Sequence, residues 1–268
     1  MEKQRRRRRR KKRVSRCRYS VSIVMLFMVM VLLLIKCGDG SRTGSRSPST
    51  GAMVSEFARQ HDLPTDAWPE KLIALLERNP ETKGFVLNYP LKRDLKPEIN
   101  LDEYKNSRSV PLLLQWDERW GYNEYAGDLM GLSGCGPTCL SMVCVYLLGD
   151  TDCSPKYVAE FAEKNGYSVS GNGSAWSLIS DGGERLGLDI TEIPLVENRI
   201  IQNLEAGNPI ICIMGPGDFT TTGHFIVMTE YIDGKIRIND PNSVERSNRL
   251  WELAHIKHQI RNLWVCRK

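Results

Sequence analysis

The chain has 268 residues, 41% of them hydrophobic and 26% charged, with a formal net charge of +5 and eight cysteines. That composition excludes a fibrous or wholly disordered protein and suits one globular domain with appendages. Residues 1 to 36 hold thirteen Lys or Arg against the single acid Glu2, so the other 232 residues carry a net charge of about −7. Only the tail is basic, and no nucleic-acid partner is implied.

A basic run, Arg5 to Arg10 with Lys11, Lys12, Arg13, Arg16 and Arg18, leads directly into Tyr19 to Ile35, which is almost wholly apolar. Seventeen such residues span roughly 25 Å as a helix, the short limit for a bilayer. The positive flank predicts a cytoplasmic N-terminus and an exported remainder. Lys36-Cys37-Gly38-Asp39-Gly40 is a poor cleavage site, which favours an uncleaved anchor; lipidation of Cys37, or secretion after cleavage, is the alternative. The expected layout is a basic cytoplasmic tail over 1–18, a transmembrane signal anchor over 19–36, a flexible Gly/Ser/Thr/Arg tether over 37–54, a helical extension over 55–107 and a mixed domain over 108–268.

Within the extension, Trp68 to Asn79 reads as a short amphipathic helix, with Pro69 set for its first turn and Pro80 ending it. Beyond it the pattern predicts a strand at Val110 to Gln115 and helices over about Gly136 to Leu148, Tyr157 to Lys164 and Trp176 to Leu186. Strands are predicted at Pro209 to Met214, His224 to Tyr231 and Lys235 to Asn239, the last two joined by an Asp233-Gly234 hairpin turn. Helices early and antiparallel strands late give an α+β class.

Cys135 stands at the start of the first of these helices, in Ser133-Gly134-Cys135-Gly136-Pro137-Thr138, where the peptide dipoles favour thiolate over thiol. Gly134 and Gly136 leave space for a substrate backbone beside the sulfur, and the Cys135 amide is a candidate oxyanion donor. Cys139 and Cys144 are expected to be buried structural cysteines. Cys153, Cys212 and Cys266 lie elsewhere, in a domain whose export would permit disulfides. Of the four histidines, His224 begins a strand and is the best base; His61 is expected in solvent, and His255 with His258 lacks a third metal ligand. Across the Asp233-Gly234 turn, Asp240 or Asn239 comes near His224 as the orienting acceptor, with Asp240 preferred. Asn172-Gly173-Ser174 fits a glycosylation sequon and is read as chance.

Five strings, Gln115-Trp116-Asp117-Glu118-Arg119-Trp120-Gly121-Tyr122, Gly134-Cys135-Gly136-Pro137-Thr138, Gly207-Asn208-Pro209-Ile210-Ile211, Gly223-His224-Phe225 and Asn239-Asp240-Pro241, occur in this order. Together they resemble the bacterial papain-fold cysteine peptidases related to bacteriocin leader-processing peptidases, the C39-like group. The Trp68 to Tyr89 segment is similar to the helical lead-in of some exported members. The resemblance implies a papain-like fold, with the nucleophile helix packed on an antiparallel sheet. It also implies Cys135 as nucleophile, His224 as general base and then acid, Asp240 orienting His224, and Gln115 as an oxyanion donor. Twenty residues separate Gln115 from Cys135, more than in leader-processing relatives, so a loop over Trp116 to Leu132 is expected to fold out of the way. Its Trp116, Trp120, Tyr122 and Tyr125 are read as an apolar wall or substrate surface. A peptide or protein substrate and no metal or organic cofactor are implied. Transport and ATP use are not carried over, because no G-x-x-x-x-G-K-[ST] motif is present. The competing readings are a cell-wall peptide amidase, an acyltransferase on the same fold, and a non-catalytic peptide-binding domain.

Overall fold

The computed structural model describes residues 49–268. The basic tail, the apolar segment at 19–36 and the tether as far as Pro48 lie outside the described residues. Among the described residues no helix is long and apolar enough to cross a membrane.

Three helices come first: α1 (Thr50–Gln60), α2 (Glu70–Arg78) and α3 (Lys83–Lys92). Helix α1 starts inside the stretch expected as tether, because the Ser49 hydroxyl accepts from the Ala52 amide and caps it. Pro69 caps α2, and Pro80 opens a separate 3₁₀ turn, as the prolines predict. A hairpin of β1 (Glu124–Tyr125) and β2 (Asp128–Leu129) follows, and then α4 (Met130–Ser133), α5 (Cys135–Leu148) and α6 (Pro155–Lys164). The chain continues through β3 (Ser168–Val169), β4 (Gly173–Ser174), α7 (Asp181–Arg185), β5 (Asp189–Glu192), α8 (Glu197–Glu205), β6 (Ile210–Met214), β7 (His224–Ile232) and β8 (Lys235–Asn239). It closes with α9 (Val244–Ser247), β9 (Leu250–Trp251), α10 (Leu253–Ile256) and β10 (Ile260–Arg267).

Strands β5 to β10 form one antiparallel sheet in the order β5-β10-β6-β7-β8-β9. The α+β class is as expected, and helix α5, which begins at Cys135, packs on this sheet. Alternation along the strands serves both faces. Ile211 and Ile213 of β6 face Leu140 and Val143 of α5, while Ile210, Cys212 and Met214 face Ile200 and Leu204 of α8. Burial on both faces accounts for the unbroken apolar run of β6. Asp233 and Gly234 both take positive φ, 49° and 80°, the hairpin turn their sequence predicts.

Three expectations are corrected. Val110 to Gln115 is not a strand: Pro111 has no N–H to give a ladder, and the segment is held by the Asn239 amide on the Val110 and Pro111 carbonyls and by the Gln115 N–H on the Pro241 carbonyl. The Trp176 to Leu186 helix is broken into a 3₁₀ turn at Trp176–Leu178 and α7, the interruption falling at Ser180, whose ψ of −78° departs from the helical value. The predicted elements end at Asn239, yet β10 lies inside the sheet between β5 and β6.

The helical extension docks by its own small core. Trp68 Nε1 donates to the Val86 carbonyl at 2.8 Å, and Tyr122 from the loop before β1 donates its hydroxyl to the Phe85 carbonyl at 2.8 Å. The Phe85 and Tyr122 rings stack at 4.5 Å. Phe85 sits so close to Gly131 that a Cβ there would lie 2.4 Å from its ring. Gly131→Ala is therefore expected to destabilise the protein by about 1–3 kcal/mol through overpacking, measured by chemical denaturation. Combined with Phe85→Leu it should cost less than the sum of the two changes. Additive costs would refute the docking account.

Candidate active site

Helix α5 begins at Cys135 with Gly134 as its N-cap and ends at Gly149, whose φ of 68° closes it. The glycines beside Cys135 also serve packing. A Cβ on Gly136 would stand 2.4 Å from Ser174 Oγ of β4, and one on Gly134 would stand 2.6 Å from the Met130 carbonyl oxygen. Close approach of β4 and α4 thus fixes where the helix starts and where the sulfur points.

His224 opens β7 opposite Met214 of β6, so the sheet holds its backbone. The ring is buried, and Nε2 lies 2.7 Å from Asp240 Oδ1. With Nε2 engaged there, Nδ1 is the nitrogen left to exchange a proton with Cys135. Asp240 is fully buried; its Oδ1 also accepts the Asn242 amide at 2.8 Å, and its Oδ2 accepts Arg246 Nε at 2.5 Å. Of the two candidate acceptors, Asp240 is the one on His224, since the Asn239 amide is spent on the Val110 and Pro111 carbonyls. Sequence reasoning missed Arg246, a single arginine in a polar turn with no local signal of its partner.

Electrostatics follow from this arrangement. Burial opposes ionisation of Asp240, but the His224 charge and the Arg246 guanidinium outweigh it and hold the carboxyl below its ordinary value. Burial likewise opposes the imidazolium, yet Asp240, with Cys135, pushes His224 from its ordinary 6.5 up to about 10. At Cys135, burial again disfavours charge, and the His224 cation together with the Phe225 and Gly136 amides brings the thiol below its ordinary 9.0. The combination favours a thiolate–imidazolium pair at neutral pH.

Gln115 is buried; its Nε2 donates to the Gly131 carbonyl at 3.0 Å, and its Oε1 has no hydrogen-bond partner. The loop between Gln115 and Cys135 folds back as the β1–β2 hairpin, and Gln115 and Cys135 line one cleft. Trp116, Trp120, Tyr122 and Tyr125 pack into the cores and do not line it, which corrects their expected place as a wall or substrate surface. The cleft measures about 660 Å³ and is also lined by His224, Trp176, Arg246 and, from the extension, Leu75, Arg78 and Asn79.

The other cysteines differ. Cys139 and Cys144 are buried on α5 as expected, and no disulfide joins the six described cysteines. Burial pushes Cys139 and Cys212 well up and Cys266 up to about 12. His61 is exposed and stacks on Phe57, and His255 Nε2 lies 3.0 Å from Asp218 Oδ2. Among the described residues no three His, Cys, Asp or Glu side chains are grouped to hold a metal ion.

The family model described as the Peptidase_C39 like family matches residues 107–267. No curated protein matches the chain. Two solved structures are similar to it. The peptidase domain of Streptococcus ComA, described as a bi-functional ABC transporter involved in a quorum sensing pathway, is 16% identical over 51% of this chain and 93% of that one, with a TM-score of 0.40. A C39-like peptidase from Bacillus anthracis is 15% identical over 64% of this chain and 98% of that one, with a TM-score of 0.35. These are loose likenesses, and the assignment stands on the match over residues 107–267: the chain belongs to the C39-like peptidase family.

Proposed function

We propose that the protein is a cysteine peptidase that cleaves peptide bonds through Cys135, His224 and Asp240. The observation that carries the reading is one half-buried thiol at a helix start, made acidic by a histidine that a fully buried carboxylate holds charged. The Cys135 thiolate attacks the peptide carbonyl carbon, and the carbonyl electron pair moves onto oxygen. The Cys135 amide and the second Nε2 hydrogen of Gln115, the one not given to Gly131, are the donors for that oxyanion. Collapse expels the amine, which takes its proton from the His224 imidazolium and leaves a thioester on Cys135. Neutral His224 then takes a proton from water as the oxygen attacks the thioester, and the acid is released with the thiolate restored. The basic run and apolar segment over residues 1–36 support the further reading that the enzyme is exported and held at the cell membrane, its substrate a peptide or protein outside the cytoplasm.

The first test is alkylation of the full-length protein by iodoacetamide at pH 6 under reducing conditions, read by mass spectrometry. Cys135 should react far faster than any other cysteine and lose that advantage in His224→Ala. Equal reactivity of Cys135 and the rest, unchanged by the substitution, would leave a binding domain as the better description.

Turnover of a cleaved peptide should be flat through neutrality. It falls on the acid side as the Cys135 thiolate is protonated, and on the alkaline side as His224 loses its proton near pH 10. The sign for stability is the same: the raised His224 value stabilises the fold fully below its unfolded value and is lost as pH rises through about 10. An alkaline limb near pH 7 in the kcat profile would contradict the ion pair.

Charge in the cleft predicts selectivity. Asp128 is paired with Lys71 and Asp218 with His255, whereas among the described residues exposed Arg78 enters no ion pair. A peptide library should show an acidic preference at one position, on the order of two- to fivefold for such an exposed pair. Arg78→Glu should reverse it, and added salt should weaken it. A profile indifferent to Arg78→Glu would refute the assignment.

A further inference from the structure

We propose that the helical extension acts on the catalytic carboxylate: Glu81, aided by Asn79, is a positioning residue that holds the Asn242–Arg246 turn in the place from which it grips Asp240. The proposal rests on the peptidase reading above. Glu81 and Asn79 stand before residue 107, where the family match begins, and more than 160 residues from the turn they touch.

The contacts form a continuous chain. The Glu81 carboxylate accepts the Ser243 hydroxyl, the Val244 amide at 2.7 Å and the Glu245 amide at 3.2 Å. Asn79 Nδ2 donates to the Asn242 carbonyl at 2.6 Å, where Trp116 Nε1 also donates at 3.2 Å. From the same five residues, the Asn242 amide and Arg246 Nε supply two of the three donors on the Asp240 carboxylate. The turn is thus bonded on one side to the extension and on the other to the triad.

A helical turn of four residues cannot sustain itself, since nucleation fixes several dihedrals for each hydrogen bond gained. It carries unpaired amides at its start, and here an outside carboxylate from Glu81 takes two of them. Thr82 is fully buried and donates to the Asn79 carbonyl at 2.7 Å, so the segment bearing Glu81 is itself pinned. Release of the turn frees Arg246 and Asn242 from Asp240. The carboxylate then holds His224 less firmly, the imidazolium is less favoured, and the Cys135 thiolate fraction falls.

Arg78, Asp128 and Asp218 also line the cleft and are the same in every variant compared below. The charged groups bonded at this centre are Asp240, Arg246 and the Cys135–His224 pair. Tyr125 faces it from the β1–β2 hairpin and Cys139 from α5, both kept neutral by burial. A changed pH profile therefore reports on Asp240, Arg246 and His224.

The test is the rate of Cys135 alkylation by iodoacetamide between pH 5 and 9 in the full-length protein, compared among wild type, Glu81→Ala, Glu81→Gln and Ala58→Gly. Ala58 is buried in the extension and away from the Glu81 contacts, so Ala58→Gly loosens the extension without releasing the turn. The expected result is a roughly tenfold lower rate at pH 6 in Glu81→Ala, the thiolate lost when a thiol pKa rises by about one unit. Glu81→Gln, which keeps an acceptor and guards against misfolding of the alanine variant, should lose less in the same direction, and Ala58→Gly should follow wild type. Glu81 variants with the wild-type profile, or an Ala58→Gly variant slowed as much as Glu81→Ala, overturn the proposal alone. A wild type whose Cys135 reacts no faster than an ordinary thiol overturns it together with the peptidase reading.

Discussion

A carboxylate with no exposure to water is the constraint around which this protein is arranged. Burying Asp240 without partners would cost more than a domain of this size can offset, and the group would protonate instead. It stays charged because three donors converge on it, two of them charged: His224, Arg246 and the Asn242 amide. The first of these couples the core to chemistry. A histidine pressed against a buried anion is held protonated far above its ordinary range, and a protonated histidine beside a thiol makes a thiolate. The lowered thiol value at Cys135 is thus tied to an electrostatic demand placed 105 residues later in the chain, at Asp240.

The same demand accounts for how the helical extension is joined to the half that holds Cys135 and His224. Arg246 and Asn242 lie in a turn too short to hold itself, braced through Glu81 and Asn79. The extension is located in turn by Phe85 against Gly131, the residue whose carbonyl also takes the Gln115 amide. One contact region therefore locates both the extension and the Gln115 side chain that lines the cleft. The unpartnered Oε1 of Gln115 fits a carboxamide oriented by what its nitrogen must do: reversing it would set two carbonyl oxygens against each other at Gly131.

What could be read in the sequence was local. Gly134-Cys135-Gly136-Pro137 marks a helix start, Asp233-Gly234 a two-residue turn, and counting across that turn brings Asp240 toward His224; each needs only a few neighbouring residues and one periodicity. The count could not separate Asp240 from Asn239, because which side chain reaches the ring depends on the bulge between Met228 and Glu230 and on Asn239 being claimed by Val110 and Pro111. Arg246, Glu81 and Asn79 were not legible at all, since their meaning lies in contacts with residues distant in sequence. Trp176 to Leu186 misled for the opposite reason, its helical periodicity running across an interruption at Ser180 that local pattern does not mark. The apolar run Leu263-Trp264-Val265 did carry a strand signal, though only the sheet order shows it as an interior strand.

The six described cysteines form an internal comparison that separates the causes of thiol activation. Burial acts against the thiolate at Cys135 as it does at Cys139, Cys212 and Cys266, yet Cys135 falls below its ordinary value while those three rise. A helix start is worth about 0.3–1 kcal/mol, up to about 2 in favourable partly buried sites, or at most about 1.5 pKa units. Cys139, one turn along the same helix, shows how far burial carries a thiol upward when no cation faces it. Among the groups that oppose burial at Cys135, the hydrogen bond and charge of His224 are the largest and the Phe225 and Gly136 amides follow, so the His224 cation turns the sign. The helix aims the sulfur and the amides of Gly136 and Phe225 receive its charge, but the charge itself is maintained by Asp240 through the ring.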